Sequence, residues 1–196
     1  MKYLICLLAI ILVLSTTLHK EQNEFGKWKK FHNIYDGQMI QTVSESKMKY
    51  NLYDFDLSKQ DKSIFNSFFI FSDDSSSFID LDSYSLVLEK DKSGNLFTTG
   101  GGVDINVQVV NRKSNCAISV LFCGTRCYPE TALWRNESWL EIYGFELNDH
   151  DKFIPTIWKF LLDKTLFSKY RIDRIFDVMP NSYVQSVRLK DVEFRE

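Results

Sequence analysis

Val103-Asp104-Ile105-Asn106-Val107-Gln108-Val109 alternates apolar and polar residues without a break. Successive side chains of an extended chain point to opposite faces, so this stretch reads as a half-buried β-strand. Turn residues bracket it. Gly100-Gly101-Gly102 stands before it, and Asn111-Arg112-Lys113-Ser114-Asn115 follows. The pattern repeats on both sides. Downstream, Cys116–Phe122 reads as a strand. Leu133-Trp134, a turn at Asn136-Glu137-Ser138 and Trp139–Phe145 read as a hairpin. Ile154–Leu162 and Thr165–Tyr170 are two more apolar runs, and Pro155 sits near the start of the first, where a strand tolerates it. Upstream, Phe78–Leu88 reads as one long strand, closed by a turn at Asp91–Asn95.

Helix signals are few. Asp56–Ile70 reads as a short helix or turn running into a strand, with Ser58 as a candidate N-cap. Ile172, Ile175, Phe176 and Met179 have helical spacing, ended by Pro180, and Val184–Phe194 alternates as a last strand. The expected fold is mainly β, a β-dominated α+β domain. It takes the form of a small antiparallel meander, blade-like or sandwich, after an N-terminal apolar helix.

The chain has 196 residues, enough for one domain. Its 24 basic and 26 acidic side chains leave a net charge of −2, with no electrostatic footprint for nucleic acid. With 8 Gly, 3 Pro and 15% aromatics, it is neither collagen-like nor disordered.

The first residues carry an address. Lys2 precedes an uncharged apolar run, Tyr3–Leu14, of about 12 residues, the length of a signal-peptide core. Small residues Ser15, Thr16 and Thr17 follow, without the favoured Ala-x-Ala. Tyr3–Leu18 is just short of a bilayer span, so residues 1–17 read as a signal peptide or a signal anchor. Cys6 precedes most of the apolar run and is not placed as a lipoprotein cysteine. Residues 18–51, with Trp28 among Lys27, Lys29 and Lys30, read as a juxtamembrane segment or linker. Residues 52–196 are then the β-rich globular domain. Localisation follows as exported, periplasmic or membrane-anchored, with the domain outside the cytoplasm.

Cysteine use agrees with export. Cys123-Gly124-Thr125-Arg126-Cys127 sets two thiols across a short loop and is a disulfide candidate, with Cys116 left over. Metal binding is the sharper alternative, but there is no second cysteine pair and His19, His32 and His150 are scattered. No metal and no cofactor is expected.

Two stretches resemble blade turns of periplasmic TolB-like and WD-type β-propellers. In Phe71-Ser72-Asp73-Asp74-Ser75-Ser76-Ser77-Phe78-Ile79 the Ser-Pro-Asp-Gly pattern is altered, with Asp73 in place of Pro and Ser75 in place of Gly. Leu133-Trp134-Arg135-Asn136-Glu137-Ser138-Trp139-Leu140 resembles the same Trp-turn-apolar unit. The resemblance covers about a tenth of the chain and the copies lie about 62 residues apart, longer than a blade repeat. It implies a few blade-like antiparallel units rather than a closed propeller. It carries no activity.

Candidate chemistry is sparse. Asp73, Asp74, Asp80 and Asp82 form an acidic cluster, and Asp80 and Asp82 share a face if extended. Such a pair suits a cation or glycoside hydrolysis, while aspartates in turns commonly cap backbone amides. Trp134 and Trp139, with Tyr143 and Trp158, form either a sugar or peptide groove or core. The binding candidates are therefore Asp80, Asp82, Trp134 and Trp139, and no catalytic residue is assigned. Gly100–Gly102 lacks the Lys-Ser/Thr of a phosphate loop and reads as a hairpin or bulge. Asn136-Glu137-Ser138 is a glycosylation sequon, relevant only to a eukaryotic secretory host. With no nucleophile–base signature, the expected function is a non-enzymatic envelope binding or interaction module. Its partner would be another envelope protein, including one that it neutralises. The alternative is a hydrolase of envelope polymers using dispersed carboxylates. A third reading, a structural lipid-facing factor, expects an exposed apolar patch continuing from the Trp28 segment.

Overall fold

The computed structural model describes residues 24–50, 52–60 and 63–195. The signal peptide or anchor expected at residues 1–17 lies outside them. Two five-stranded antiparallel sheets and one three-stranded sheet make up the fold. In chain order the first elements are helix α1 (24–31), β1 (Ile40–Lys47), β2 (Leu52–Asp54), α2 (Leu57–Gln60), β3 (Ile70–Phe71) and β4 (Ser77–Asp80). Next come β5 (Leu86–Lys90), β6 (Leu96–Gly101), β7 (Ile105–Asn111), β8 (Cys116–Cys123) and β9 (Cys127–Trp134). β10 (Trp139–Leu147), β11 (Phe153–Leu161), β12 (Leu166–Ile172) and β13 (Val192–Phe194) complete the order. The mainly β reading therefore holds.

The first sheet runs β1-β12-β11-β10-β9 and the second β2-β8-β7-β4-β3. They pack face to face. Ile79, Val107 and Val109 of the second meet Trp134, Leu140, Ile142, Trp158 and Phe160 of the first. The period-2 alternation of each strand supplies that inner face. The first sheet is also buried on its other face, where Trp28 and Ile34 cover Leu133, Tyr143, Phe145 and Ile157. The third sheet, β13-β6-β5, contains a parallel pair, β13 with β6. It closes one end through Leu88, Leu189 and Val192.

Four expectations need correction. Residues 18–51 were expected as a linker outside the domain, yet 24–47 belong to it. Trp28 is fully buried, and β1 pairs with β12 from Ile40↔Ile172 to Lys47↔Leu166. The indole covers apolar sheet surface that would otherwise face water, which is worth about 2–3 kcal/mol. The helix expected over Ile172–Met179 does not form. Ile172 ends β12, and Phe176 makes an isolated bridge to Phe153. The last strand is confined to Val192–Phe194, and Val184–Arg188 is a single π-helical turn.

The expected long strand Phe78–Leu88 is broken in two by a turn at Asp80–Ser85, which the Asp80 carboxylate caps. The stretches likened to blade turns are both hairpin turns, one joining β3 to β4 and the other β9 to β10. In the first, Ser75 takes a left-handed φ of 53° and the Asp74 carboxylate accepts the Ser76 N–H at 2.9 Å.

Candidate functional site

A fault in the β9–β10 register builds the centre of the molecule. Thr131 pairs with Tyr143, but the next pair is Pro129 with Gly144, so Glu130 has no partner across the ladder. Such a bulge turns the extra residue out of the alternation. Pro129 fits there because it has no N–H to offer the ladder. Gly144 is required for a different reason. A Cβ on it would lie 2.0 Å from the Tyr128 carbonyl oxygen and 2.8 Å from the Pro129 Cα. Both contacts are backbone, so nothing flexible can give way. We expect Gly144→Ala to lower unfolding free energy by about 3 kcal/mol or more, read as a shifted urea midpoint.

The bulge drives the Glu130 side chain inward, where it is 2% exposed. Its Oε2 accepts from Trp28 Nε1 at 2.8 Å and pairs with His32 Nε2 at 2.7 Å. Its Oε1 accepts from the Tyr183 backbone N–H at 3.0 Å. His32 directly follows α1 and its N–H donates to the Trp28 carbonyl at 3.2 Å, so the two side chains lie one turn apart and reach the same carboxylate. Phe31, Phe145 and Tyr183 surround the imidazole. Burial, with Glu24 and Glu130 nearby, pushes the Tyr183 phenol up to about 12.

Arg188 joins this network to the second sheet. From the π-helical turn its Nε donates to the Glu130 carbonyl at 2.8 Å. Its Nη2 donates to Asp82 Oδ1 at 2.7 Å and its Nη1 to Asp82 Oδ2. Asp82 is 5% exposed, so the fork pairs with a carboxylate withdrawn from water. Asp80, equally buried, braces the turn. Its Oδ1 accepts the N–H groups of Asp82 at 3.1 Å and Ser83 at 3.0 Å, and its Oδ2 accepts the Ser83 hydroxyl. Burial raises the Asp80 pKa, the turn donors oppose that rise, and the charge of Asp82 adds to it.

Beside this network, where the three sheets meet, lies a cavity of about 240 Å³. Asp82 and Arg188 line its charged side. Ser85, Ser182 and Gln185 offer neutral polar groups, and Leu86, Ile105, Met179 and Phe194 form apolar wall. Three irregular features converge on it. Glu130 and Pro129 bring the bulge, and Val184 to Arg188 the π-helical turn. Gly101 and Gly102 form part of the rim. A Cβ on Gly101 would lie 1.9 Å from the Ser85 carbonyl oxygen, so only glycine lets β6 pass Ser85. The Cys123–Cys127 disulfide, with Cα atoms 5.3 Å apart, closes the loop just ahead of Tyr128-Pro129-Glu130. Bulges and π-helical turns gather at functional positions because they aim groups that regular ladders cannot.

The structure brings Asp80 and Asp82 to this site but separates the tryptophans. Trp134 is core between the sheets, its Nε1 donating to the Ile70 carbonyl at 2.9 Å. Trp139 stands next to Leu140 in the strand and so points to the opposite face, where the Lys159 ammonium lies 3.9 Å from its ring centroid. Trp158 is with Trp134, and Tyr143 packs with Trp28. The groove proposed for these four is therefore not assembled, because strand alternation divides them. Trp28, His32, Glu130 and Arg188 escaped sequence reasoning. The available signals were an i,i+4 Trp/His pair on a helix and a Pro-Glu step inside an apolar strand.

A larger hollow of about 690 Å³ lies along α1, lined by Phe25, Lys29, Lys30, Tyr35 and Arg135 among others. Two of its cations are engaged. Lys29 pairs with Asp36, and Arg135 Nη2 pairs with Glu141 at 2.7 Å. The Tyr143 hydroxyl donates to the same Glu141 oxygen at 2.6 Å, and burial pushes that phenol far above its ordinary range. The cavity at the sheet junction is the better candidate, since buried polar groups face it. No family model, no curated protein and no solved structure matches the chain.

Proposed function

We propose that the chain is an exported envelope protein whose β-domain is a non-enzymatic binding module, with the sheet-junction cavity receiving a segment of a protein partner. One observation carries this reading: the buried carboxylates at the site are committed to internal donors. Glu130 takes three, Asp82 takes the Arg188 fork, and Asp80 takes three from its own turn. General acid–base work needs a carboxyl within reach of the substrate proton. Asp82 lines the cavity, but both its oxygens face Arg188. Asp80, the carboxyl with the raised pKa, is not part of the lining. What the cavity offers is shape, apolar wall and a few neutral polar groups, the chemistry of recognition. The apolar run at Tyr3–Leu14 and the Cys123–Cys127 disulfide support an oxidising, extracytoplasmic location.

A photo-crosslinking side chain at Gln185, on the cavity rim, tests the reading in the full chain within its native envelope. The expected result is one dominant adduct of fixed mass, absent when the probe sits at exposed Lys113. The reading fails if Gln185 gives no adduct while the purified chain cleaves an envelope polymer and Asp82→Asn abolishes the cleavage.

A further inference from the structure

Five large apolar side chains stand out into water on two adjoining stretches of chain. Tyr35 and Met39 lie on the segment between α1 and β1, Ile40 is the first residue of β1, and Ile175 and Val178 lie on the segment after β12. Their exposures run from 50% for Ile40 to 75% for Val178. The two segments are fastened together. The Asp173 N–H donates to the Met39 carbonyl at 2.9 Å, and the Arg174 guanidinium donates to the Asn33 carbonyl. Arg174 also lies over the rings of Phe176, at 4.5 Å, and Tyr35, at 6.0 Å. Between the segments a recess of about 170 Å³ is bordered by Ile154, Ile172 and Ile175. Asp173 and Arg174 thus join the two segments into one surface, with polar and charged groups among the apolar ones. Exposed apolar groups gathered in this way mark a surface that meets something less polar than water.

The course of the chain says what that is. The described residues begin at Glu24, which is helical, and the apolar run ends at Leu14. The residues between, 15–23, span at most about 30 Å even when fully extended. A run embedded in a bilayer therefore holds α1, and the Tyr35 turn that follows it, within reach of the lipid surface. Charge does not decide the matter. Lys29 is paired with Asp36 and Lys152 with Asp177 along this face. Apolar insertion, with Tyr35 as an aromatic suited to the headgroup level, is the recognising chemistry. A patch this small binds lipid weakly alone, but a tether raises its effective concentration so that weak contact suffices.

We infer that the face formed by Tyr35, Met39, Ile40, Ile175 and Val178 docks on the bilayer interface, orienting the domain with this side toward the membrane. The inference rests on the exported reading in its anchored form, with residues 1–17 retained in the membrane, and not on the cavity or its partner.

The test uses the full chain, with Cys6→Ser and Cys116→Ser, reconstituted in phosphatidylcholine/phosphatidylglycerol vesicles. One new cysteine, Ile175→Cys or the distant exposed Val87→Cys, carries an environment-sensitive fluorophore. Lipids brominated along the acyl chain act as quencher. The expected result is a blue-shifted emission at position 175, quenched at least threefold more strongly than at 87. Met39→Asp combined with Val178→Asp should abolish that difference while the chain still floats with the vesicles. Flotation with equal quenching at 175 and 87 overturns the docking face alone. A folded chain that does not float overturns both the docking face and the membrane attachment on which it rests.

Discussion

Glu130→Ala should cost about 3–5 kcal/mol of unfolding free energy, a large part of what a domain of this size possesses. The carboxylate is the single acceptor on which α1, β9 and the chain entering the π-helical turn converge. Removing it leaves the Trp28 indole N–H, His32 Nε2 and the Tyr183 amide without that partner in a dry interior. Each abandoned buried donor costs about 1–3 kcal/mol, because water cannot replace the bond. Glu130→Gln keeps the volume and one carbonyl acceptor but turns an NH₂ group toward one of the donors. Its loss should be roughly half that of the alanine variant. Urea unfolding followed by near-ultraviolet circular dichroism reads both, since Trp28 reports the helix-side layer. An alanine variant within about 0.5 kcal/mol of wild type would show that this carboxylate does not hold the layer.

Arg188→Ala carries the second large effect, again about 3–5 kcal/mol, because it strands the Asp82 carboxylate in the interior. The pair itself is a different matter. Replacing both residues, as Arg188→Met with Asp82→Leu, removes the charge and its counter-charge together. The double variant should then be less destabilised than the sum of its single variants by about 2 kcal/mol or more. Additive losses would mean that Asp82 is compensated by its other surroundings. The same variants separate stability from recognition. The double variant alters the charged side of the cavity while leaving a folded domain, so a Gln185 adduct that survives it would place recognition on the apolar wall.

How much of this was legible follows from which forces act locally. The alternation at Val103–Val109, Cys116–Phe122 and Trp139–Phe145 is a period of two imposed by the strand itself, so β7, β8 and β10 stand close to their expected places. The turn at Asn136–Ser138 is equally local. Asn136 Oδ1 accepts from the Ser138 and Trp139 amides within a few residues of itself. The Cys123–Cys127 pair is close in the chain for the same reason.

The errors fall where a distant partner decides. Ile40–Lys47 is exposed along its whole length and carries no strong alternation, so it became a strand only because β12 offered a ladder. Trp28 read either as a headgroup aromatic or as a linker aromatic tucked onto the domain, and only the packing shows that it covers the far face of β9 and β10. Ile172–Met179 has helical spacing, yet the Phe153–Phe176 bridge holds it against β11.

The sequence by itself determined that the chain folds as strands joined by tight polar turns, and that its cysteines favour one short loop. Those are consequences of side-chain alternation and backbone preference over a few residues. Only the tertiary structure decided that the two larger sheets face each other, that Glu130 leaves its ladder, and that Trp28, His32, Asp82, Tyr183 and Arg188 meet around it. Their separations run to 106 residues between Asp82 and Arg188. No local preference encodes a meeting at that range. It arises because a buried charge must find its donors wherever the packing of the sheets has brought them.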